Sequence, residues 1–327
     1  MSDSVELSAI VPQELDSERL DQVAARLFPD YSRSRLQAWI KKGELLVDGQ
    51  VQRPRDKVAA GAQLKVNAEL VQEVGWLPQA IDLDLIYEDA SILVLNKPAG
   101  LVVHPAAGHA DGTLVNALLA HAPELAQLPR AGIVHRLDME TSGIMVVARS
   151  LAAHHNLVAQ LQARTVKREY CAVCIGAMTG GATIDAPMGR HPKNRKKMAV
   201  LSFGGKSAIT HYRVARRFGH HTRITVNLET GRTHQIRVHM AHRKYPLIGD
   251  PTYGGRPRIP KGASEELISA LRTFPRQALH AQALGLIHPH SGEALRFECA
   301  LPEDMVALLD VLEREDPVAG QRDQPRY

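Results

Sequence analysis

Aromatic side chains are scarce. Phe, Trp and Tyr make up 4% of the 327 residues, so aliphatic side chains must fill the core, and a Tyr or Phe in a functional region is more informative than usual. Cysteine is nearly absent: three in a chain of this length exclude a disulfide framework and suit a reducing compartment. Cys171 and Cys174 have C-x-x-C spacing but lie in an alternating run, residues 170–175, where positions three apart face opposite ways. No second Cys or His pair follows at zinc spacing, so they read as small buried hydrophobes. No apolar run approaches the roughly 20 residues that span a bilayer, and residues 1–15 carry Asp3, Glu6 and Glu14 instead of a signal peptide's apolar segment. A soluble, cytoplasmic protein is the expectation. A Gly-rich phosphate loop is also missing: Gly204-Gly205-Lys206 lacks P-loop spacing, and no G-x-G-x-x-G follows a strand. No ATP, NAD or S-adenosylmethionine site is expected, and no cofactor.

What is present suits one large domain with a small one beside it. Hydrophobic residues make up 44% of the chain, and 40 Lys and Arg against 35 Asp and Glu give a net charge of +5, compatible with a polyanionic partner. From about residue 16 to 66 the pattern is self-contained. Leu20, Val23, Ala24 and Leu27 keep helical spacing, and Ser32 is placed to cap a second helix with Leu36, Trp39 and Ile40 on its apolar face. Gly43 ends that helix. Leu45 to Val47 reads as a strand, Asp48-Gly49 as a hairpin turn, Val51 as the return and Leu64 to Val66 as a last strand. The second helix carries Arg33, Arg35, Lys41 and Lys42 with no acid among them, either a solvated basic face or a phosphate-binding one.

Beyond a polar linker, residues 67–79, short strands alternate irregularly with a few helices. Strands are expected at 86–87, 92–95, 101–103, 144–147, 170–175, 209–214, 222–228 and 295–299, and helices at 114–119, 151–161 and 305–312. Such an order argues for an α+β fold over a doubly wound one. Residues 313–327, charged and rich in breakers, read as a mobile tail.

The most informative stretch is residues 132–143, Gly-Ile-Val-His-Arg-Leu-Asp-Met-Glu-Thr-Ser-Gly, where polar groups are held between two apolar strands. A carboxylate framed this way is costly to desolvate unless a cation or donor meets it, so Asp138 is either a paired structural acid or a catalytic one. Residues 231–242 hold His234, His239 and His242, but the segment lacks a carboxylate at ligand spacing and is cationic, so no metal is expected. Glycosidic hydrolysis normally takes two carboxyl groups, and Glu140 sits in a turn where it faces solvent or braces the backbone. An isomerisation needs less: uridine becomes pseudouridine when the N1 to C1′ bond breaks, the base rotates and C5 bonds to the same carbon, with no cosubstrate.

Several motifs point the same way. Arg19-Leu20-Asp21, Ser32-Arg33, Ile40, Gly43, Val47-Asp48-Gly49 and Gly61 resemble the S4 RNA-binding domain. His135-Arg136-Leu137-Asp138 with Thr141-Ser142-Gly143 resembles the catalytic signature of RluA-type pseudouridine synthases. Segments 87–89, 96–105, 167–170, 230–240 and 249–254 are similar to further motifs of that family, in family order. The resemblance implies a pseudouridine synthase fold with a mixed, mostly antiparallel central sheet behind a small N-terminal α+β S4 domain. The expected boundaries are 1–15 for an N-terminal extension, 16–75 for the S4-like domain, 76–312 for the catalytic domain and 313–327 for the tail. Asp138 would be the essential carboxylate, attacking C1′ or abstracting a sugar proton. Arg237 would be its salt-bridge partner, favouring the charged form. Tyr170 would stack on the flipped uracil and could take the C5 proton, and Ile236 would wall the base. Arg136 would fill the gap in the RNA helix at an unstacking cost of a few kcal/mol, with His135, Leu137 and Thr141 beside the substrate. Met139 and Glu140 depart from the Lys and Asp that relatives often carry.

The basic run Arg190, Lys193, Arg195, Lys196 and Lys197 is the expected RNA-gripping loop, with Arg33, Arg35, Lys41 and Lys42 gripping from the small domain. Within the family, Phe28 to Arg33 and Arg256 to Ala263 most resemble members acting on large-subunit ribosomal RNA. The implied partner is 23S rRNA or a pre-50S particle, with the helix 69 stem-loop as target and the protein a monomer. The rivals are a relative acting on another rRNA or tRNA site, a non-catalytic ribosome-assembly factor, and an S4-containing rRNA methyltransferase. The missing cofactor loop argues against the last.

Overall fold

The structure, a computed structural model, describes residues 4–29, 31, 33–69, 76–105 and 109–318. The chain divides into two compact units, Met1–Trp76 and Leu77–Tyr327.

The first unit contains β1 (Ser4–Ile10), β2 (Glu18–Arg19), α1 (Leu20–Leu27), α2 (Arg33–Lys42), β3 (Leu45–Val47), β4 (Lys57–Val58) and β5 (Gln63–Glu69). Strand β5 lies between β1 and β3, and β2 pairs with β4. Ser4–Ile10, within the 1–15 segment expected as an extension, therefore supplies a strand of the sheet. The cause is alternation: Val5, Leu7 and Ala9 share one face and pack with Leu20, Leu36 and Ile40. No return strand forms at Val51, because the turn after Val47 closes directly onto Gln50. The expected cap, Ser32, lies outside the described residues.

The second unit holds β6 (Asp84–Glu88), β7 (Ile92–Lys97), α3 (Leu114–His121), β8 (Ser142–Ala148), α4 (Leu151–Gln162), β9 (Lys167–Ile175), β10 (Ala182–Asp185), β11 (Met188–Arg190) and β12 (Met198–Val200). It continues with β13 (Ile209–Arg217), β14 (His221–Leu228), α5 (Gln235–His242), α6 (Glu265–Thr273), β15 (Leu279–Ile287), β16 (Ala294–Glu298) and α7 (Glu303–Glu315). Nine strands form one mixed sheet in the order β10-β13-β14-β9-β15-β8-β7-β6, with β16 also on β15. All its pairings are antiparallel except β15 with β8. Helix α4 covers Ile92, Val94, Ile144 and Val146 with Ala153 and Leu157, while α6 and α7 cover Cys171 and Val173 with Leu267, Leu271 and Leu308. Both Cys171 and Cys174 are buried and unpaired.

Two expectations are corrected here. Residues 101–103 form no strand, because their carbonyls are used elsewhere: those of Val102 and Val103 accept from the first N–H groups of α3, and that of Leu101 from Lys97 Nζ. Residues 313–316 are not a loose tail, since α7 runs to Glu315 and Asp316 is buried on His220 and His221. Residues 319–327 lie outside the described ones.

Two glycines bracket the segment that carries Asp138. Gly132 has φ +78, and a Cβ there would lie 2.0 Å from the Ala148 carbonyl oxygen; Gly143 has φ +119, and its Cβ would lie 2.2 Å from that of Ala281. Only glycine lets the segment enter and leave so close to two other strands. Gly143→Ala is expected to cost more than about 3 kcal/mol of unfolding free energy, against less than about 0.5 kcal/mol for Gly180→Ala, whose Cβ would meet open space. Urea denaturation followed by circular dichroism measures both, and equal midpoints would refute the close-approach account.

At the β6–β7 turn, Asp89 accepts hydrogen bonds from the Ser91 and Ile92 amides, the Tyr87 hydroxyl and the His288 ring. Burial works to raise its pKa, but these donors outweigh it and bring it down to about 2. A depressed folded pKa means that this stabilisation is complete above pH ~4 and is lost as pH falls toward 2. Asp89→Asn is expected to unfold at a lower temperature at pH 7, with the difference shrinking between about pH 4 and pH 2.5; a difference constant across that window contradicts the linkage.

Candidate active site

An open cleft of about 800 Å³ in the second unit is lined by parts of the Asp138 segment, β9, the β14–α5 turn and α5. Among its walls are Asp138, Tyr170, Ile236 and Arg237, which lie far apart in sequence.

Asp138 sits between the bridge from Ile133 to Val147 and the start of β8, and each of the four residues after it is tied by a different side chain. Lys97 Nζ donates to the Met139 carbonyl at 2.9 Å, and Arg276 Nη1 to that of Glu140 at 3.2 Å. Gln277 Nε2 donates to Thr141 Oγ1 at 3.1 Å, and Ser142 Oγ pairs with His280 Nδ1 at 2.9 Å. Lys97 is fully buried and also donates to the Pro98 and Leu101 carbonyls. Burial pulls its pKa down to about 8, against the raising effect of Glu140 and Asp138, so it stays charged at pH 7 with three acceptors for its three protons.

The carboxylate of Asp138 is 17% exposed, and its Oδ2 accepts from Arg237 Nη1 at 3.0 Å. Arg237 lies on α5 and forms a two-pronged pair with buried Asp250, Nε to Oδ2 at 2.7 Å and Nη2 to Oδ1 at 2.9 Å. Its guanidinium also stands over the Tyr253 ring at 5.1 Å. Burial disfavours its charge, but Asp250 and then Asp138 outweigh that and hold it protonated. On Asp250 burial works upward, while Arg237 and the amides of Tyr253 and Thr252 bring the carboxyl below its usual range. His234 Nε2 lies 3.9 Å from Asp138 Oδ1.

Tyr170, on β9, is buried in the cleft wall; burial pushes its hydroxyl pKa up, with Arg168 pulling down and Asp138 pushing up, so it is a neutral phenol at pH 7. Ile236 and Leu137 are buried beside the cleft, and Arg136 is exposed at it. His135 and Thr141 also line the cleft, but both make protein contacts. The His135 Nε2 accepts from the Val146 amide at 3.0 Å, and burial with the Arg168 charge holds that ring neutral, near a pKa of 3. The Thr141 hydroxyl is held by Gln277.

The expected RNA-gripping cations are not cleft residues. Arg190, Lys193, Arg195 and Lys196 are exposed around the β11–β12 hairpin, and Lys197 Nζ is tied to the Thr252 carbonyl at 2.8 Å. In the first unit Lys41 and Lys42 are exposed and Arg35 is half-buried. Arg33 is exposed too, and with Arg19 and Gln37 it donates to Asp21, whose side chain is fully buried. Burial opposes ionisation of Asp21, but those three donors keep its pKa below the usual range.

Sequence reasoning assigned no role to Asp250, Lys97, Gln277, Tyr253 or Arg168. For Asp250 the signal was Gly249-Asp250-Pro251-Thr252-Tyr253-Gly254, which on its own reads as a turn. Among the described residues no group of three or more His, Cys, Asp or Glu side chains is placed to hold a metal ion, and no helix is long and apolar enough to cross a membrane.

Comparison with known proteins bears on this arrangement. Residues 91–242 match the family model described as RNA pseudouridylate synthase, and residues 18–64 match the S4 domain. A Pseudomonas aeruginosa protein named ribosomal large subunit pseudouridine synthase D is 60% identical over 315 residues, 96% of this chain and 98% of that one. The protein of that name from Escherichia coli is 54% identical over 313 residues, 95% and 96% of the two chains. Among solved structures, human RNA pseudouridylate synthase domain containing 4 is similar with a TM-score of 0.57 and 26% identity, over 70% of this chain and 93% of that one. Identity of this level along nearly the whole of both chains, with the cleft falling in the matched region, leaves one conclusion: the chain belongs to the RNA pseudouridylate synthase family and carries an S4 domain at its N-terminal end.

Proposed function

We propose that this enzyme converts uridines of the large-subunit ribosomal RNA to pseudouridine, with Asp138 as the essential carboxylate. The observation that carries the reading is the Asp138–Arg237 ion pair in a cleft walled by Tyr170 and Ile236. The names of the relatives at 60% and 54% identity supply the RNA class. The helix 69 stem-loop of 23S rRNA is the target we assign, free or in a pre-50S particle. The protein acts there as a cytoplasmic monomer, without cosubstrate.

The target uridine leaves its helix and enters the cleft, and Arg136, exposed at the opening, takes the vacated place in the stack. Asp138 acts at the sugar, either by attack on C1′ or by removing a sugar proton. Either route breaks the N1 to C1′ bond, and the freed uracil turns until C5 faces C1′. When the C5 to C1′ bond has formed, C5 loses its proton and N1 gains one, so the product has the atoms of the substrate. Ile236 and the Tyr170 ring give the turning base two apolar walls. A neutral Tyr170 phenol is a weak base, so in this reading its ring does the larger share of the work, and its hydroxyl accepts the C5 proton only when the acidic rearranged ring presents it.

Asp138→Asn preserves shape and removes charge. It is expected to leave RNA affinity within about threefold while pseudouridine formation falls by more than about a thousandfold. Carbodiimide labelling with primer extension reads the product, and normal modification by this variant would sink the assignment. The S4 domain is assigned to phosphate binding. Removing residues 1–76 is expected to weaken RNA binding by about tenfold or more at physiological salt, while the single-turnover rate at saturating RNA stays within about threefold. Unchanged affinity would contradict that assignment.

A further inference from the structure

His234 precedes α5 with φ 59 and ψ 22, in the left-handed region that costs most residues backbone energy. Its ring is held on one side by a chain of hydrogen bonds whose direction chemistry decides. The Met198 amide lies 3.0 Å from the Tyr253 hydroxyl oxygen, and an amide N–H only donates, so that oxygen accepts. The tyrosine hydrogen is left to be donated to His234 Nδ1, 2.8 Å away. A ring that accepts at Nδ1 carries its hydrogen on Nε2 when neutral. Nε2 is the atom 3.9 Å from Asp138 Oδ1, the carboxylate oxygen that Arg237 does not hold.

The groups around the ring agree with the neutral form. Burial lowers the His234 pKa, Asp138 and Asp250 raise it, Arg237 and Arg136 lower it, and the result lies below the usual value. The Tyr253 ring meets it edge-on at 5.7 Å, fixing its plane.

We propose that neutral His234 is a positioning residue for Asp138, whose Nε2–H is the second donor on the carboxylate and closes the 3.9 Å gap when a uridine fills the cleft. Arg237 fixes Oδ2 and His234 fixes Oδ1, so the carboxylate keeps one rotation while the base leaves and turns. The chain runs from Met198 on β12 through Tyr253 to Asp138, so the basic hairpin and the carboxylate share one orientation. This rests on the reading of Asp138 as the reacting carboxylate.

Two substitutions separate the roles of the two ring nitrogens. His234→Gln places an N–H donor near the Nε2 position, whereas His234→Asn keeps only an acceptor near Nδ1 for Tyr253. In the full-length protein, with a 23S rRNA transcript as probe, the Gln variant is expected to keep its single-turnover rate within about tenfold of the parent, while the Asn variant falls by about a hundredfold or more. RNA affinity should hold in both. Asn tolerates the left-handed backbone better than Gln, so a folding effect alone would give the opposite ranking. Tyr253→Phe removes the hydroxyl that fixes the tautomer and is expected to slow the same step. Asn equal to or faster than Gln, equal losses in the two, or no loss in either overturns the proposal, as does an unchanged Tyr253→Phe. Full activity in Asp138→Asn is a different result: it overturns the reading of the site itself.

Discussion

One buried guanidinium holds two carboxylates, and most of the site follows from that. An unpaired charge as deeply buried as Arg237 would cost several kcal/mol, so the guanidinium depends on its two partners. Asp250 is the full partner, fully buried, bound through both oxygens and further satisfied by the Thr252 and Tyr253 amides. Asp138 is the half partner, with one contact from Arg237 and one oxygen left toward the cleft. A planar fork donates in three directions at once, which a lysine ammonium at the same place could not match. The asymmetry separates the two acids: Asp250 is enclosed, and Asp138 keeps one oxygen open to the cleft.

Holding Asp138 at that cation falls to its own loop. Gly132 and Gly143 set where the loop enters and leaves, and between them Lys97, Arg276, Gln277 and His280 hold residues 139, 140, 141 and 142 in turn. Their anchors come from β7, β15 and the segment just before β15, which join the same sheet as β8. The carboxylate is therefore positioned by polar anchors carried on or next to the sheet, and Arg237 sets its orientation.

Which parts could be read beforehand follows from what each pattern exposes. Strand β14 buries one set of side chains more deeply than the other and signals itself by alternation, β9 shows itself as an apolar run buried on both faces from residue 170 to 174, and α1 keeps a clear apolar stripe. Helix α5 does not, because Gln235 to Met240 are all buried, and a helix enclosed on every side has no stripe to detect. Strand β15 was missed for the same reason, with His280 and Gln282 interrupting an otherwise apolar run. Asp138 stood out because its flanking strands are apolar. Its links to Asp250 and Lys97 span more than a hundred and some forty residues of chain respectively, and no local pattern encodes such contacts. Arg33 shows another contact that local pattern omits: its side chain stays 45% exposed, yet it also donates to a buried acid, Asp21, on the preceding helix.

The same distinction between buried and exposed applies to the cleft's positive charge. The net charge of +5 is modest for a partner of polyanions, and the arginines around the cleft do not act as a single group. Arg168 and Arg237 are buried, the first donating to the Glu229 carbonyl and the second bound to carboxylates. Arg164 pairs with Glu229. That leaves Arg130, Arg136 and Arg232 as the arginines exposed at the cleft. Arg232 is itself tethered by a bond to the Ser207 carbonyl, and Arg130 has φ 53 just ahead of Gly132. The rim of the cleft thus carries a few exposed cations, while the carboxylate behind them is already paired. Arg232 is kept at the rim by its bond to Ser207, and inside the cleft Arg237 takes Asp138 Oδ2, so that Oδ1 has His234 Nε2, 3.9 Å away, as its neighbour.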